Sequence, residues 1–223
     1  MPKKNMFKNR TEAGELLAKA LEKYKNEEAV VYALPRGGVE VALPIARRLE
    51  APLDLIIPRK IGHPSSPEYA IAAIAENGHI LGNESELAAV DQDWLEAEKE
   101  RQKEEAKRRR ELYLKGTPPV PVENKVAIIV DDGVATGLTM RVGILELKHR
   151  HPRKIVVAVP VLSEEAERLI KREADELVAL SPSEEFLGAV GAHYESFAQV
   201  EDEEVTKIMQ KYNEEFEKRA DAQ

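Results

Sequence analysis

The chain has no cysteine, which excludes disulfide frameworks, thiolate nucleophiles and zinc–thiolate sites and suits a reducing compartment, so a cytoplasmic location is expected. It has no excess of positive charge either. Thirty-three basic against 41 acidic residues give a net charge of −8, the wrong sign for gripping nucleic acid through a general basic field. No apolar run approaches the ~20 residues of a membrane span, and Met1-Pro2-Lys3-Lys4-Asn5-Met6-Phe7 lacks the apolar core of a signal peptide, so neither membrane insertion nor export is expected. Internal repeats and low-complexity tracts are absent. What remains is a chain of 223 residues, 43% hydrophobic and 33% charged, with 13 Pro and 12 Gly: the composition of one globular domain, 1–223, with a sizeable core.

Apolar periodicity predicts a helix from about Asn9 to Tyr24, capped by Asn9 with Glu12 or by Thr11. A β-branched run at 29–34 stops at Pro35-Arg36-Gly37-Gly38, a helix is predicted over 39–49 with Pro44 as its weak point, and 53–57 reads as a second strand ending at Pro58-Arg59-Lys60. That order, strand–loop–helix–strand, implies a parallel pair with a right-handed crossover. Residues 62–67 have loop composition, and Glu76-Asn77-Gly78 between apolar runs is a hairpin signal. From 84 to 115 the density of Glu, Lys, Arg and Ala predicts one long solvated helix, inserted into the fold, with Glu104/Arg108 and Glu105/Arg109 in favourable spacing. The basic run 107–110 is interleaved with Glu104, Glu105 and Glu111 and reads as a solvated face, and Trp94 and Tyr113 as the helix's anchoring side.

Parallel-sheet grammar resumes at 126–130, a continuous apolar run expected of a strand covered on both faces. A helix is predicted over 138–149, a strand over 155–161, a helix over 163–173 capped by Ser163, a short strand over 177–180 and a closing helix after 200. The fold class is α/β, a doubly wound parallel sheet, with residues 183–223 forming a small hood and closing helix. His149-x-His151, at a helix end beside Pro152, reads as solvated rather than metal-binding.

Ligands of open parallel sheets bind beyond the carboxyl ends of the strands. Three unusual loops start there: 35–38, 58–60 and 131–137. The last places two carboxylates, Asp131 and Asp132, beside a turn, Gly133 to Gly137, that opens a helix. Backbone amides at a helix start suit an anion, whereas the acids repel one. A phosphorylated sugar satisfies both, its phosphate on Ala135-Thr136-Gly137-Leu138-Thr139 and its ring hydroxyls on the acids. Walker and dinucleotide fingerprints are missing. Arg36, with Gly37 and Gly38 allowing close backbone approach, and the cations Arg59 and Lys60 suit a further polyanion such as pyrophosphate.

The stretch 126–139, Val-Ala-Ile-Ile-Val-Asp-Asp-Gly-Val-Ala-Thr-Gly-Leu-Thr, resembles the phosphoribosyl-diphosphate-binding motif of type I phosphoribosyltransferases, departing only at Gly133, where the pattern more often has an aliphatic residue. Leu34-Pro35-Arg36-Gly37-Gly38 resembles that family's pyrophosphate loop, which often contains a non-proline cis peptide, and Arg59-Lys60 its second pyrophosphate-facing segment. The likeness extends from about residue 29 to 180; 61–82 corresponds to the flexible catalytic loop and hairpin, with 62–69 as the closing segment, and 190–200 is similar to a C-terminal signature of an acceptor-unassigned bacterial and archaeal subgroup.

The resemblance implies transfer of ribose 5-phosphate from phosphoribosyl diphosphate to a nitrogenous base with release of pyrophosphate. Mg²⁺ would be held mainly through the substrate rather than by a set of protein ligands. Asp131 and Asp132 would engage the sugar hydroxyls, and Asp131, Asp132 and Lys60 are the candidate catalytic groups. Arg36, Gly37, Gly38, Arg59, Lys60, Gly133, Ala135, Thr136, Gly137, Leu138 and Thr139 complete the expected substrate-binding set. His63, Glu68, His193 and Tyr194 are open as acid or base for the acceptor. The partners expected are small molecules and a second copy in a homodimer. Two alternatives stand beside the transferase: a non-catalytic phosphoribosyl-diphosphate sensor, and a phosphorylase or phosphatase acting on nucleotides.

Overall fold

A computed structural model describes residues 6–220. Residues 1–5, in the segment read above for a leader, and 221–223, within the stretch expected to form the closing helix, lie outside the described residues. Five parallel strands form the central sheet in the order β2-β1-β6-β7-β8, where β1 is Ala29–Ala33, β2 Leu53–Leu55, β6 Val126–Val130, β7 Lys154–Val159 and β8 Glu176–Ala179. A separate antiparallel sheet joins β3 (Arg59–His63), β4 (Ser66–Ile74) and β5 (Ile80–Gly82). The β1 and β6 strands are fully buried, as two-sided coverage requires.

Alternate side chains sort those strands into two cores. Val31, Ala33, Ile128 and Val130 pack with α1 (Arg10–Ala20), α2 (Gly37–Leu49), α4 (Gln92–Leu114) and α7 (Asp202–Ala220), while Val30, Tyr32, Ala127 and Ile129 pack with α5 (Leu138–Lys148) and α6 (Glu164–Glu173). Helices thus cover both faces. The chain adds β2 on one side of β1 and β6 on the other, so the winding direction reverses between β1 and β6 and opens a crevice at their carboxyl ends.

Several expected boundaries change. Asn9 caps α1 by accepting from the Glu12 amide, Glu12 accepts from the Lys8 amide, and the helix ends at Ala20, with a separate 3-10 turn over Glu22–Tyr24. The second strand stops at Leu55, although Ile56 and Ile57 stay buried. The helix expected over 84–115 is two, α3 (Glu84–Ala89) and α4, because extended backbone at Val90 breaks the run and Asp91 starts a new helix by accepting from the Trp94 amide. Glu105 pairs with both Arg108 and Arg109, leaving the expected Glu104–Arg108 pair unmade. Arg110 leaves the solvated face altogether and lies between Asp54 Oδ1 (3.0 Å) and Glu76 Oε1 (2.8 Å), tying α4 to β2 and to the hairpin.

The segment 62–69 is not an open loop. His63 pairs with Ser66 across a turn at Pro64 and Ser65, so its polar composition belongs to the exposed tip of a β-hairpin. No described helix is long and apolar enough to cross a membrane.

Candidate active site

Two of the three loops meet at the reversal point. β1 and β6 run in register from Ala29/Val126 to Ala33/Val130, and the Leu34 amide donates to the Val130 carbonyl at 2.9 Å. Residues 35–38 therefore leave the sheet directly beside 131–133. The Pro35–Arg36 peptide is cis. Gly37 and Gly38 face the acids: a Cβ on Gly37 would overlap the Asp132 carboxylate, 2.7 Å from its Cγ, and one on Gly38 would sit 2.8 Å from the Val130 carbonyl oxygen and 3.1 Å from Asp131 Cα. Glycine is required here for approach distance.

Asp131 and Asp132 keep partial exposure at this junction. Asp131 Oδ1 accepts from the Asp132 amide at 2.8 Å. Burial, then the neighbouring Asp132 charge, hold the Asp131 carboxyl well above the usual carboxylate range. Asp132 is also pushed up by burial, but Arg10, whose Nε lies 2.7 Å from Oδ2, works in the opposite direction. Downstream, Val134 bridges to Leu162, Ser163 Oγ donates to the Ala135 carbonyl at 2.6 Å, and Gly137 takes the left-handed conformation (φ 80°) as the N-cap of α5. Ala135 and Thr136 are exposed, Thr139 and Leu138 half-buried. The amides from Ala135 to Thr139 meet no acceptor among the described residues, those of Leu138 and Thr139 because the first turn of a helix leaves them so. Carboxylates and free amides stand side by side.

The third loop divides. Lys60 pairs with Ala73 on β4, and Ala73 packs on Leu138 and Val142 of α5, so Lys60 lies on the hairpin face turned towards the start of that helix. It is exposed and has no ion-pair partner among the described residues. Arg59 points the other way, donating from Nε to Gln102 on α4 at 3.0 Å. Strand alternation makes this unavoidable, since neighbouring residues face opposite sides. Arg36 lies within 3.4 Å of Glu201 and 3.6 Å of Asp202 at the start of α7, and Asp202 also accepts from Tyr113 at 2.6 Å.

The phosphoribosyl transferase domain model matches residues 4–195. The chain belongs to the phosphoribosyl transferase family. Two Mycobacterium tuberculosis proteins, from strains CDC 1551 and H37Rv, whose names offer phosphoribosyl transferase as a provisional assignment, are each 35% identical over 213 residues. That span is 95% of this chain but 48% of each relative, so the chain spans about half the length of the curated relatives it matches. The crystal structure of TT1426 from Thermus thermophilus is 42% identical, covers 93% of this chain and 99% of its own, and superposes with a TM-score of 0.79.

Within this phosphoribosyl transferase domain, the hood explains the departure at Gly133. A Cβ there would lie 2.5 Å from Val190 Cγ1 and 2.9 Å from Val161 Cγ2, so Val190 fills the space an aliphatic side chain would take. Two acid–base candidates have structural duties. Tyr194 donates from its hydroxyl to the Asp132 carbonyl at 2.6 Å, and buried His193 stacks on Phe186 and accepts at Nε2 from the Leu187 amide at 3.0 Å. His63 accepts at Nδ1 from the Ser65 amide at the hairpin tip, and Glu68 is exposed nearby. The residue that sequence reading missed is Arg10. It begins α1, 122 positions from its carboxylate partner, and the helix-start pattern around it carries no sign of a site.

Proposed function

We propose that the protein transfers ribose 5-phosphate from phosphoribosyl diphosphate to a nitrogenous base and releases pyrophosphate. The observation carrying this reading is the pairing of Asp131 and Asp132 with the unbonded amides of Ala135 to Thr139 at the β1/β6 reversal. The amides and the dipole of α5 would hold the 5-phosphate, and the carboxylates would accept from the ribose hydroxyls.

Displacement at the anomeric carbon passes through a transition state with positive charge on the sugar and growing negative charge on the departing diphosphate. Preoriented carboxylates stabilise the first, and Arg36 and Lys60 are the cations available for the second. Arg36 would exchange Glu201 and Asp202 for the diphosphate. Mg²⁺ bound to the diphosphate oxygens would offset charge on the leaving group. No covalent intermediate is needed.

The test is pyrophosphate release from phosphoribosyl diphosphate with Mg²⁺ against a panel of purine and pyrimidine bases, with Asp132→Asn alongside. Base-dependent release, and tight donor binding that Asp132→Asn weakens many-fold while leaving it measurable, is expected. Binding without turnover for every base would instead identify a sensor, and release of orthophosphate a different reaction.

A further inference from the structure

Arg10 is 7% exposed, and a guanidinium buried that far must find acceptors to offset its lost hydration. Its acceptors come from three separate parts of the chain. Nε donates to Asp132 Oδ2 at 2.7 Å, and Nη1 donates to the Ala198 carbonyl at 2.7 Å and reaches Glu40 Oε2 of α2 at 3.5 Å. The guanidinium lies 3.8 Å over the Phe197 ring, which adds a cation–π contact. The packing of α1 is carried by other residues, Ala13, Leu17 and Ala18. An arginine buried at the first turn of its helix and bonded at once to the hood, α2 and a carboxylate of the site has a duty at the site beyond packing.

The contact with Asp132 is through Nε alone, so the guanidinium takes up one carboxylate oxygen rather than clamping both as a bidentate fork does. We propose that Arg10 is the positioning residue for Asp132, holding that carboxylate ionised and aimed at the sugar, with the hood segment at Phe197 and Ala198 as the anchor that keeps the guanidinium in place. This inference rests on the phosphoribosyl-diphosphate reading of the site. The charged and titratable groups around Asp132 are Arg10 from α1, Glu40 from α2, Asp131 in the same loop and Tyr194 from the hood, with Glu204 of α7 behind Glu40. Arg10 is the cation among them. Without it, burial favours the protonated form of Asp132, opposed by the hydrogen bonds from Asp131 and from the backbone of its own loop.

The experiment measures phosphoribosyl diphosphate binding by titration calorimetry with Mg²⁺ between about pH 5.5 and 9, bracketing neutral pH because carboxylates shift by ~1–3 units on losing a guanidinium partner. The proteins are wild type, Arg10→Met, Arg10→Gln, Arg10→Lys, Asp132→Asn and the Arg10→Met/Asp132→Asn double variant. Arg10→Met is expected to weaken binding at least ~10-fold at neutral pH, with the acid limb moved up by about one pH unit and partial recovery at the alkaline end. Arg10→Gln keeps a donor without the charge and should show the same shift should the methionine variant not fold. Arg10→Lys should restore most of the affinity. In the Asp132→Asn background, the Arg10 substitution should cost under about threefold, since coupled residues lose their effects together. Binding with an unaltered pH profile in Arg10→Met or Arg10→Gln, or an undiminished loss in the Asp132→Asn background, overturns the inference and leaves the site reading standing. Failure of the wild type to bind phosphoribosyl diphosphate overturns both.

Discussion

Gly37→Ala tests the approach of the two loops by adding one methyl group. The new Cβ would lie 1.9 Å from Asp132 Oδ2, 2.7 Å from its Cγ and 2.8 Å from Arg10 Nε, whereas carbon–carbon contacts settle at ~3.5–4.0 Å, so the carboxylate must move by at least about 1 Å. It can do so by rotating, since it is the end of a side chain. The stability cost is then the charge-assisted bond to Arg10, ~1.5–3 kcal/mol, less the ~1 kcal/mol that alanine gains over glycine in a helix. A net loss of about 0.5–2 kcal/mol is expected in urea denaturation. The functional cost is larger, because a displacement of ~1 Å in a positioned group lowers turnover by ~10²-fold. Gly38→Ala supplies the contrast. Its Cβ meets the Val130 carbonyl oxygen at 2.8 Å and Asp131 Cα at 3.1 Å, backbone that cannot rotate away, so it should destabilise more than Gly37→Ala. The assays are urea midpoints and kcat/KM for pyrophosphate release. Activity of Gly37→Ala within threefold of wild type would refute the claim that this glycine exists to let Asp132 sit where it does.

The Asp131 carboxyl titrates above its unfolded value, so the folded state holds the proton more tightly and stability falls as pH rises from about 4 through the raised folded pKa. Asp131→Asn, which can still accept from the Asp132 amide, should therefore be more stabilising relative to wild type at pH 8 than at pH 4 while losing donor binding; an equal difference at both pH values in urea melts counts against this. Lys60→Ala should weaken donor binding about tenfold, ~1.4 kcal/mol, without moving the unfolding midpoint. Arg59→Ala should cost ~1 kcal/mol of stability and leave binding nearly intact, so a larger binding defect in Arg59→Ala would reverse the assignment of faces. Arg110→Met strands Asp54 and Glu76 without their cation and should destabilise by ~3–5 kcal/mol, with Asp54→Asn and Glu76→Gln recovering part of the loss in thermal melts.

Features that depend on a few consecutive residues could be read directly from the sequence. The apolar run at 29–34 had to be a strand and that at 126–130 a strand covered on both faces, and both are buried throughout. Gly137 before Leu138 places a helix start, and with it a row of unbonded amides, directly after Asp131 and Asp132. Donor amides, acids and helix start share one short stretch, so local bonding rules suffice.

What depended on distant contacts was decided only when the chain folded. Sheet order put β1 beside β6, and so Gly37 against Asp132. Pleating turned Arg59 towards Gln102 and Lys60 towards α5, a distinction that two adjacent cations do not announce. Extended backbone at Val90 outweighed a composition that favours one long helix. Val190 came to occupy the space at Gly133, and Arg10 crossed from the first helix to Asp132. Local sequence determines which backbone shape and which exposed donors a short segment can form; which side chain neutralises a buried carboxylate depends on which segments the sheet brings within hydrogen-bonding distance, and that is a property of the assembled core.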